Sequence, residues 1–151
     1  MKAVLQRVTE ASVAVDGNIV GSCKEGLLIL LGVADGDTRE DAEALARKTL
    51  GLRIFTDEND KMNLSIKDIG GEALVVSNFT LLASYRKGNR PDYMQAARPD
   101  AARELYEYFA ELLSAELSFV GRGEFGAHMQ IDMRADGPVT IVMDSDVLLK
   151  R

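Results

Sequence analysis

An unbroken apolar run, GLLILLGVA at Gly26–Ala34, limits what this chain can fold into more than any other feature. The run is far shorter than the ~20 residues that a membrane-spanning helix requires. Its length fits a strand that is buried. We therefore predict that it forms the third strand, and a central one, of a β-sheet.

Strand patterns precede and follow this run. Residues 2–15 alternate like a strand, and Asp16–Asn18 is a hairpin signal that leads into a second strand. Strands are also predicted at residues 52–55 and 72–81, with a polar turn between them. Further strands are expected over residues 117–145, which gives about seven or eight in all.

Two long helices are predicted between these strands. Thr38 and Asp41 form a capping-box pattern at the start of the first helix, and apolar residues follow at helical spacing. Pro99 is well placed in the first turn of the second helix, whose apolar stripe includes Leu105. The start and end of the chain look antiparallel, and the helices serve as crossovers in the middle. We predict one α/β domain over residues 1–151, with a mixed, largely antiparallel sheet.

Two residue types that occur once each exclude several kinds of site. His128 is the only histidine and Cys23 the only cysteine, so neither an intrachain disulfide nor a His- or Cys-rich zinc site can form within one chain. A Ser-His-Asp triad would have to use His128. We interpret His128 as a structural or partly exposed strand residue and Cys23 as an inert structural thiol.

The charge balance argues against one further ligand class, and the sequence that follows a glycine-rich motif argues against another. The net charge of −6 argues against broad, sequence-independent binding of duplex nucleic acid, which depends on Lys and Arg neutralising phosphates. GRGEFG at Gly121–Gly126 matches a dinucleotide fingerprint, but a strand-like segment follows where that fingerprint requires a helix. The N-terminus has no signal-peptide apolar block, so a cytosolic location is expected.

One segment, Ser84–Tyr93, concentrates positive charge despite the acidic total, and we call it the basic loop. It carries Arg86, Lys87 and Arg90, interleaved with the rings of Tyr85 and Tyr93. Arginine and aromatic rings are the usual tools for contacts to RNA backbone and bases. The loop is either a solvated surface segment or a surface that faces phosphate or RNA.

Polar side chains follow the predicted strand that ends before the basic loop. Ser77, Asn78 and Thr80 lie at its end, where polar groups beside a basic segment make a plausible site mouth. The alternative is that these groups only satisfy hydrogen bonds at the strand end. A hydroxyl without an adjacent base is a poor nucleophile. Chemistry here would therefore depend on backbone N–H donors that stabilise an oxyanion, or on a group of the substrate.

Six segments resemble, in this order, the D-aminoacyl-tRNA deacylases, the family of the D-tyrosyl-tRNA deacylases: AVLQRVTEASVAVDG, GLLILLGVADGDTREDA, LRIFTDENDKMNLS, VVSNFTLLASYRKGNRP, FGAHM and DGPVT. The resemblance implies a homodimeric cytosolic enzyme that hydrolyses the ester between a D-amino acid, or glycine, and the 3′-terminal ribose of tRNA. Such an enzyme keeps D-amino acids out of translation. No metal or organic cofactor is implied.

The resemblance also implies a set of site residues. The family's S-Q-x-T-L motif falls on Ser77–Leu81, with Ser77, Asn78, Phe79 and Thr80 in the catalytic set and Leu81 beside the substrate. The N-x-G-P-V-T motif falls on residues 135–140. The remaining substrate-binding and filter residues are Gly137, Pro138, Arg7, Phe125 and Met129, and the candidates for tRNA contacts are Arg86, Lys87 and Arg90.

The resemblance gives the Gly-Pro dipeptide a particular role. In the family its peptide bond is cis and it projects into the partner subunit's site, where its carbonyls would exclude the side chain of an L-aminoacyl group. Arg7 resembles the arginine that helps hold this dipeptide. Two positions depart from the family motifs, since Asn78 replaces glutamine and Ala135 replaces asparagine. We interpret them as tolerated variation or a shifted substrate range.

Two mechanisms and three functions stay open at this point. Either Thr80 is the nucleophile, or N–H groups around Phe79 and Thr80 hold the oxyanion while water attacks with help from the ribose 2′-hydroxyl; we favour the second. The alternative to a deacylase is a catalytically silent dimer that binds tRNA or a nucleotide through the basic loop. A metal-free esterase acting on small substrates is the third possibility.

The segment RADGPVT combines conflicting signals. Asp136-Gly137 is a strong two-residue hairpin signal, but Pro138 brings no N–H to a returning strand. We predict a chain reversal here, between HMQIDMR and VTIVMDS.

Overall fold

The computed structural model describes residues 1–151 and contains eight strands and three α-helices. The strands are β1 (Lys2–Val15), β2 (Asn18–Cys23), β3 (Gly26–Gly32), β4 (Phe55–Thr56), β5 (Met62–Leu64), β6 (Glu72–Ser77), β7 (Val120–Arg122) and β8 (Gln130–Asp144). The helices are α1 (Arg39–Gly51), α2 (Pro99–Ser114) and α3 (Ser145–Leu148), and a short 3₁₀ helix covers Phe79–Leu82. None of these helices is long and apolar enough to cross a membrane.

The main sheet is mixed, as the alternation of strand and helix patterns predicts. β1 pairs antiparallel with β3 through its first half and with β2 through its second half. β3 then pairs parallel with β6, and β6 pairs parallel with β7. These two parallel pairs need crossover connections, which α1 and α2 provide. The long strand β8 pairs antiparallel with the other edge of β1.

Both faces of β3 are buried, which confirms the prediction of a central strand. Leu27, Ile29 and Leu31 join the larger core, where α1 and α2 contribute buried side chains. Leu28 points to a smaller cluster of seven buried residues on the opposite face. Cys23 belongs to this cluster, and burial, with help from the charge of Glu72, raises the pKa of its thiol to about 11. The thiol therefore stays protonated at neutral pH, in keeping with an inert structural role.

Two glycines let β2 and β7 approach closely. A Cβ on Gly21 would lie 2.2 Å from the carbonyl oxygen of Arg122, and one on Gly121 would lie 2.3 Å from the carbonyl oxygen of Ser22. The first glycine of the GRGEFG motif thus serves strand packing. A turn follows β7 where the dinucleotide motif would need a helix.

The predicted capping box begins α1, and its acid is also part of a buried network. The Asp41 carboxylate accepts hydrogen bonds from the backbone N–H of Thr38 at 2.8 Å, from the Ser145 hydroxyl at 2.7 Å and from the Arg151 guanidinium at 2.8 Å. Burial alone would raise the pKa of Asp41, but the hydrogen bonds from Ser145 and Thr38 outweigh it and lower the pKa to about 2. This carboxylate therefore ties α1 to the C-terminal segment more strongly when it is ionised.

The network predicts acid sensitivity of the fold. Because the pKa of Asp41 falls from its ordinary value of 3.8 to about 2 on folding, its stabilising contribution is complete above about pH 4 and is lost as the pH falls towards 2. Asp41→Asn should lower the free energy of unfolding at pH 7 by about 2 kcal/mol and flatten its dependence on pH in this range. Urea titrations at pH 7, 4 and 2.5 measure this. The exposed Glu58→Gln is the control, and equal pH profiles for Asp41→Asn and the unmodified protein would contradict the assignment.

The predicted chain reversal at Asp136-Gly137 is wrong. β8 runs unbroken from Gln130 to Asp144 and pairs with β1 on both sides of the dipeptide. Between the pairs Gln6↔Thr140 and Val8↔Ala135, β1 advances two residues while β8 advances five. Residues 136–139 therefore leave the ladder as a bulge, because a proline cannot donate to it and a bulge accommodates this without reversing the chain. We call residues 136–139 the Gly-Pro bulge; its Gly137–Pro138 bond is cis.

Two other element boundaries differ from the sequence patterns. The strand predicted over residues 72–81 ends at Ser77, and the chain turns at Asn78 into the 3₁₀ helix so that Leu82 becomes buried. The segment predicted as a polar turn contains the short strand β5, which pairs with β4. In both places the local structure is determined by tertiary burial or strand pairing and not by the polarity of the segment.

Candidate active site

A cavity of about 860 Å³ lies where the carboxyl ends of β3 and β6 meet the start of α2. Most of the residues around it are hydrophobic. Its lining residues include Leu30, Leu31, Val33, Val76, Ala96, Ala97, Pro99, Ala102, Met129 and Ile131. A cavity of this size with few polar groups is typical of a site that encloses a small ligand or the end of a larger one.

The polar edge of the cavity consists of the residues that follow β6. Ser77, Asn78, Phe79 and Thr80 all line it. The Thr80 hydroxyl donates a hydrogen bond to the side-chain oxygen of Asn78. The backbone N–H of Asn78 donates to the carbonyl of Leu31 on β3 at 2.8 Å, which fixes the start of the turn. The structure thus brings together the four residues of the predicted catalytic set.

Two backbone N–H groups at this edge have no acceptor within the chain. Phe79 and Thr80 are the first residues of the 3₁₀ helix, where N–H groups lack a helical partner. No turn or loop hydrogen bond uses them either, whereas the next N–H, of Leu81, donates to the carbonyl of Asn78. Adjacent free donors at the edge of an apolar cavity are suited to stabilising a negatively charged oxygen.

Aromatic rings form the walls of the cavity. Phe79 and Tyr93 pack edge to face with ring centroids 5.1 Å apart. Tyr106 packs against Phe125 at 5.8 Å and donates its hydroxyl to the carbonyl of Val75 at 2.8 Å. Burial raises the pKa of Tyr106 to about 12, so this phenol stays neutral and serves as a wall of the cavity. The sequence placed Tyr106 only on the apolar stripe of a helix, and nothing in its spacing indicated a cavity.

Two further cavity residues belong to the predicted substrate-binding set, and two others were not assigned to a site by the sequence. Phe125 and Met129 line the cavity, in line with their place in the predicted substrate-binding set. His128 also lines it and is exposed; it lies two residues before β8, so the interpretation of His128 as a strand residue is wrong. Arg98 stands at the N-cap of α2 and lines the cavity too, although its sequence context gave no sign of this.

The other predicted site residues lie outside this cavity. Leu81 is half-buried in the 3₁₀ helix. Gly137 and Pro138 are exposed in the Gly-Pro bulge. Arg7 lies almost buried behind that bulge and donates from Nε to the carbonyl of Asp136 at 3.0 Å and from Nη1 to the carbonyl of Ile54 at 2.8 Å. One arginine thereby joins the bulge to the segment before β4.

Arg86, Lys87 and Arg90 are exposed in the basic loop. The two ends of that loop are joined by backbone hydrogen bonds between Ser84 and Asp92, at 2.8 and 2.9 Å. Its last residue, Tyr93, lines the cavity. The loop therefore stands beside the cavity, and its cations are free of the cavity wall.

Comparison with known proteins identifies one family consistently. A family model described as D-Tyr-tRNA(Tyr) deacylase matches residues 4–144. The chain is 57% identical over 145 residues to a D-aminoacyl-tRNA deacylase of Caldicellulosiruptor saccharolyticus, covering 96% of this chain and 97% of the relative. It is 58% identical over 144 residues to a D-aminoacyl-tRNA deacylase of Deinococcus deserti, covering 95% and 99% of the two chains.

Solved structures share the fold. One described as "c-Myc DNA Unwinding Element Binding Protein" superposes with a TM-score of 0.90 at 41% identity and covers 95% of this chain and 98% of its own. Another, described as a probable eukaryotic D-amino acid tRNA deacylase, superposes with a TM-score of 0.80 at 18% identity and covers 94% and 97%.

Proposed function

The chain belongs to the D-Tyr-tRNA(Tyr) deacylase family and is an enzyme that hydrolyses D-aminoacyl-tRNA; we propose that it does so largely with main-chain groups. One set of main-chain groups catalyses the reaction, and another rejects L-amino acids. The substrates are tRNAs that carry a D-amino acid or glycine on the 3′-terminal ribose, and the role is proofreading of chirality during translation in the cytoplasm.

The observation that carries this proposal is the pair of free N–H groups of Phe79 and Thr80 at the edge of the apolar cavity. Water attacks the ester carbonyl carbon, and the negative charge that forms on the carbonyl oxygen is held by these donors. The ester bond then breaks, and the ribose 3′-oxygen leaves with a proton. The neighbouring 2′-hydroxyl of the ribose assists the proton transfers. Donors that are fixed before the reaction stabilise such charge because they need no reorganisation when it forms.

Thr80 contributes its backbone more than its hydroxyl in this mechanism. The hydroxyl donates to Asn78, and no hydrogen bond joins it to a histidine, lysine or carboxylate that could remove its proton. Thr80→Ala and Thr80→Val should therefore retain the rate of D-aminoacyl-tRNA hydrolysis to within about tenfold, the difference reflecting the lost contact with Asn78. Single-turnover rates measure this. Near-complete loss in both variants would show that the hydroxyl is the nucleophile.

The Gly-Pro bulge supplies the chiral filter, and it acts on the cavity of a partner subunit. The bulge is exposed and does not line the large cavity of its own chain. It lies on β8, an edge strand with the exposed apolar side chains of Ile131, Met133 and Val142. An edge of this kind is suited to contact with another chain. A homodimer would cover it and carry Gly137 and Pro138 towards the second cavity, where their carbonyls would meet an L side chain.

The two departures from the family motifs leave the contacts of the turn after β6 and of the Gly-Pro bulge in place. Asn78 keeps a carboxamide, which contacts Thr80 within the same turn. Ala135 stays paired with Val8, so the bulge begins only after it. Arg7 still holds the carbonyl of Asp136 at 3.0 Å and its carboxylate at 3.3 Å. We interpret both replacements as tolerated or as a shift in which amino acids are preferred.

A deacylation assay with matched D- and L-aminoacyl-tRNAs tests the function. We expect fast release of the D-amino acid and background decay of the L-aminoacyl-tRNA. Equal background decay of both would favour the alternative, a catalytically silent dimer that binds tRNA or a nucleotide. Hydrolysis of free amino-acid esters at a comparable rate would indicate a general esterase.

A further inference from the structure

The basic loop exposes an aromatic ring that has no role in packing. Tyr85 is 82% exposed, although a tyrosine on an ordinary protein surface usually buries much of its ring. Met94, just after the loop, is 86% exposed. Tyr93, between them, packs on Phe79 at the cavity wall. Exposed apolar side chains therefore lie near both ends of the loop, and one end is joined to the cavity wall.

The cations around Tyr85 are free to bind an anion. Arg86, Lys87 and Arg90 are exposed and form none of the ion pairs in the protein. The one carboxylate in the loop, Asp92, accepts a hydrogen bond from the backbone N–H of Met94 at 3.3 Å. The net charge of the whole chain is −6, so this loop is a local positive region on an acidic protein, and it attracts a polyanion.

The basic loop is positioned where the unpaired 3′ end of a tRNA would leave the cavity. Backbone hydrogen bonds between Ser84 and Asp92 join its two ends, and Tyr93 anchors it to the wall formed with Phe79. An aminoacyl ester in the cavity is attached to the last nucleotide of an unpaired 3′ strand. The nucleotides before it must leave the cavity past its rim, where the loop stands.

We propose that Tyr85 is a positioning residue that stacks on an unpaired base upstream of the terminal nucleotide, while Arg86, Lys87 and Arg90 contact the neighbouring phosphates. The proposal rests on the proposed function, because it takes the 3′ end of aminoacyl-tRNA as the ligand. Stacking of bases on aromatic rings and contacts of cations with phosphates are the usual means of holding single-stranded nucleic acid without reading its sequence.

A comparison of two substrates tests the role of Tyr85. The first is a D-aminoacyl-tRNA, and the second is the matching 3′-O-(D-aminoacyl)adenosine, which lacks all upstream nucleotides. Tyr85→Ala should raise KM for the tRNA about tenfold with little change in kcat, and should leave the adenosine substrate unaffected. Tyr85→Phe keeps the ring and should behave like the unmodified protein.

The cations are tested by salt dependence. Removing one phosphate contact should reduce the slope of log affinity against log salt by ~0.7 for a single strand. Arg90→Ala should show this smaller slope for binding of tRNA that carries no amino acid. Arg47 is an exposed cation on α1, and Arg47→Ala should leave the slope unchanged.

The outcomes separate this proposal from the proposed function. Equal effects of Tyr85→Ala on both substrates, or no effect on the tRNA, would overturn the stacking role while the deacylase activity stands. Binding of tRNA that carries no amino acid provides a measurement that does not need hydrolysis. If no D-aminoacyl-tRNA is hydrolysed, weaker binding of uncharged tRNA by Tyr85→Ala supports the loop as an RNA contact, and unchanged binding overturns it.

Discussion

Gly137→Ala should open the enzyme to L-aminoacyl-tRNA while hydrolysis of D-aminoacyl-tRNA continues. Gly137 has φ +139°, a backbone conformation that L side chains rarely adopt. A Cβ there would lie 2.6 Å from the backbone nitrogen of Val139 and 2.9 Å from its Cγ2. The Gly-Pro bulge would have to shift, and its carbonyls would leave the positions from which they exclude an L side chain. Strain of about 1–3 kcal/mol at such a residue corresponds to a loss of selectivity of about 5- to 150-fold.

The ratio of kcat/KM for matched D- and L-aminoacyl-tRNAs is the quantity to measure. Ala135→Gly is the matched control, since Ala135 precedes the bulge and stays paired with Val8. Pro138→Ala tests the same bulge by releasing the fixed φ of proline, and it too should lower the D:L ratio. Thermal unfolding shows whether each variant keeps its fold. A folded Gly137→Ala protein with an unchanged D:L ratio would refute the filter assignment.

Phe79→Pro should reduce the rate of D-aminoacyl-tRNA hydrolysis by about 100- to 1000-fold, the effect of removing one oxyanion donor. Proline lacks an N–H, and its fixed φ is tolerated at the first position of a helix. The preceding residue, Asn78, has φ −147° and ψ 90°, which lies outside the helical region that a following proline disfavours. The substitution therefore removes the donor with little disturbance of the turn.

Phe79→Ala is the control for the lost ring. It removes the edge contact with Tyr93 but keeps the N–H, so it should cost far less than Phe79→Pro. The ratio of single-turnover rates of the two variants isolates the contribution of the donor. A ratio near one, with both proteins folded, would mean that this N–H does not hold the oxyanion.

Local sequence patterns predicted the helices, strands and turns in which the preference of the residues matches their burial in the structure. The apolar run at Gly26–Ala34 became a central strand because side chains on both of its faces are buried. Asp16-Gly17 forms the turn between β1 and β2, with positive φ at both residues. The Thr38–Asp41 box begins α1. In each case the residue types that favour the local conformation are also those that the tertiary structure needs.

The cavity itself could be predicted only in part. The polar residues after β6 marked its edge, but its walls come from separate segments, including α2 and residues 125–131. Tyr106 and Arg98 carry no local sign of that position, because a helical stripe or an N-cap looks the same whether it faces a cavity or a packed core. The chain reversal at Asp136-Gly137 failed for a different reason. The hairpin signal describes two residues, whereas the pairing of β8 with β1 on both sides determines the path.

The free N–H groups of Phe79 and Thr80 have a consequence for how this site is surveyed by mutagenesis. A main-chain amide survives replacement of its side chain by every residue except proline. If these amides hold the oxyanion, an alanine scan would report the turn at Phe79 and Thr80 as nearly silent and would direct attention to residues that support the fold.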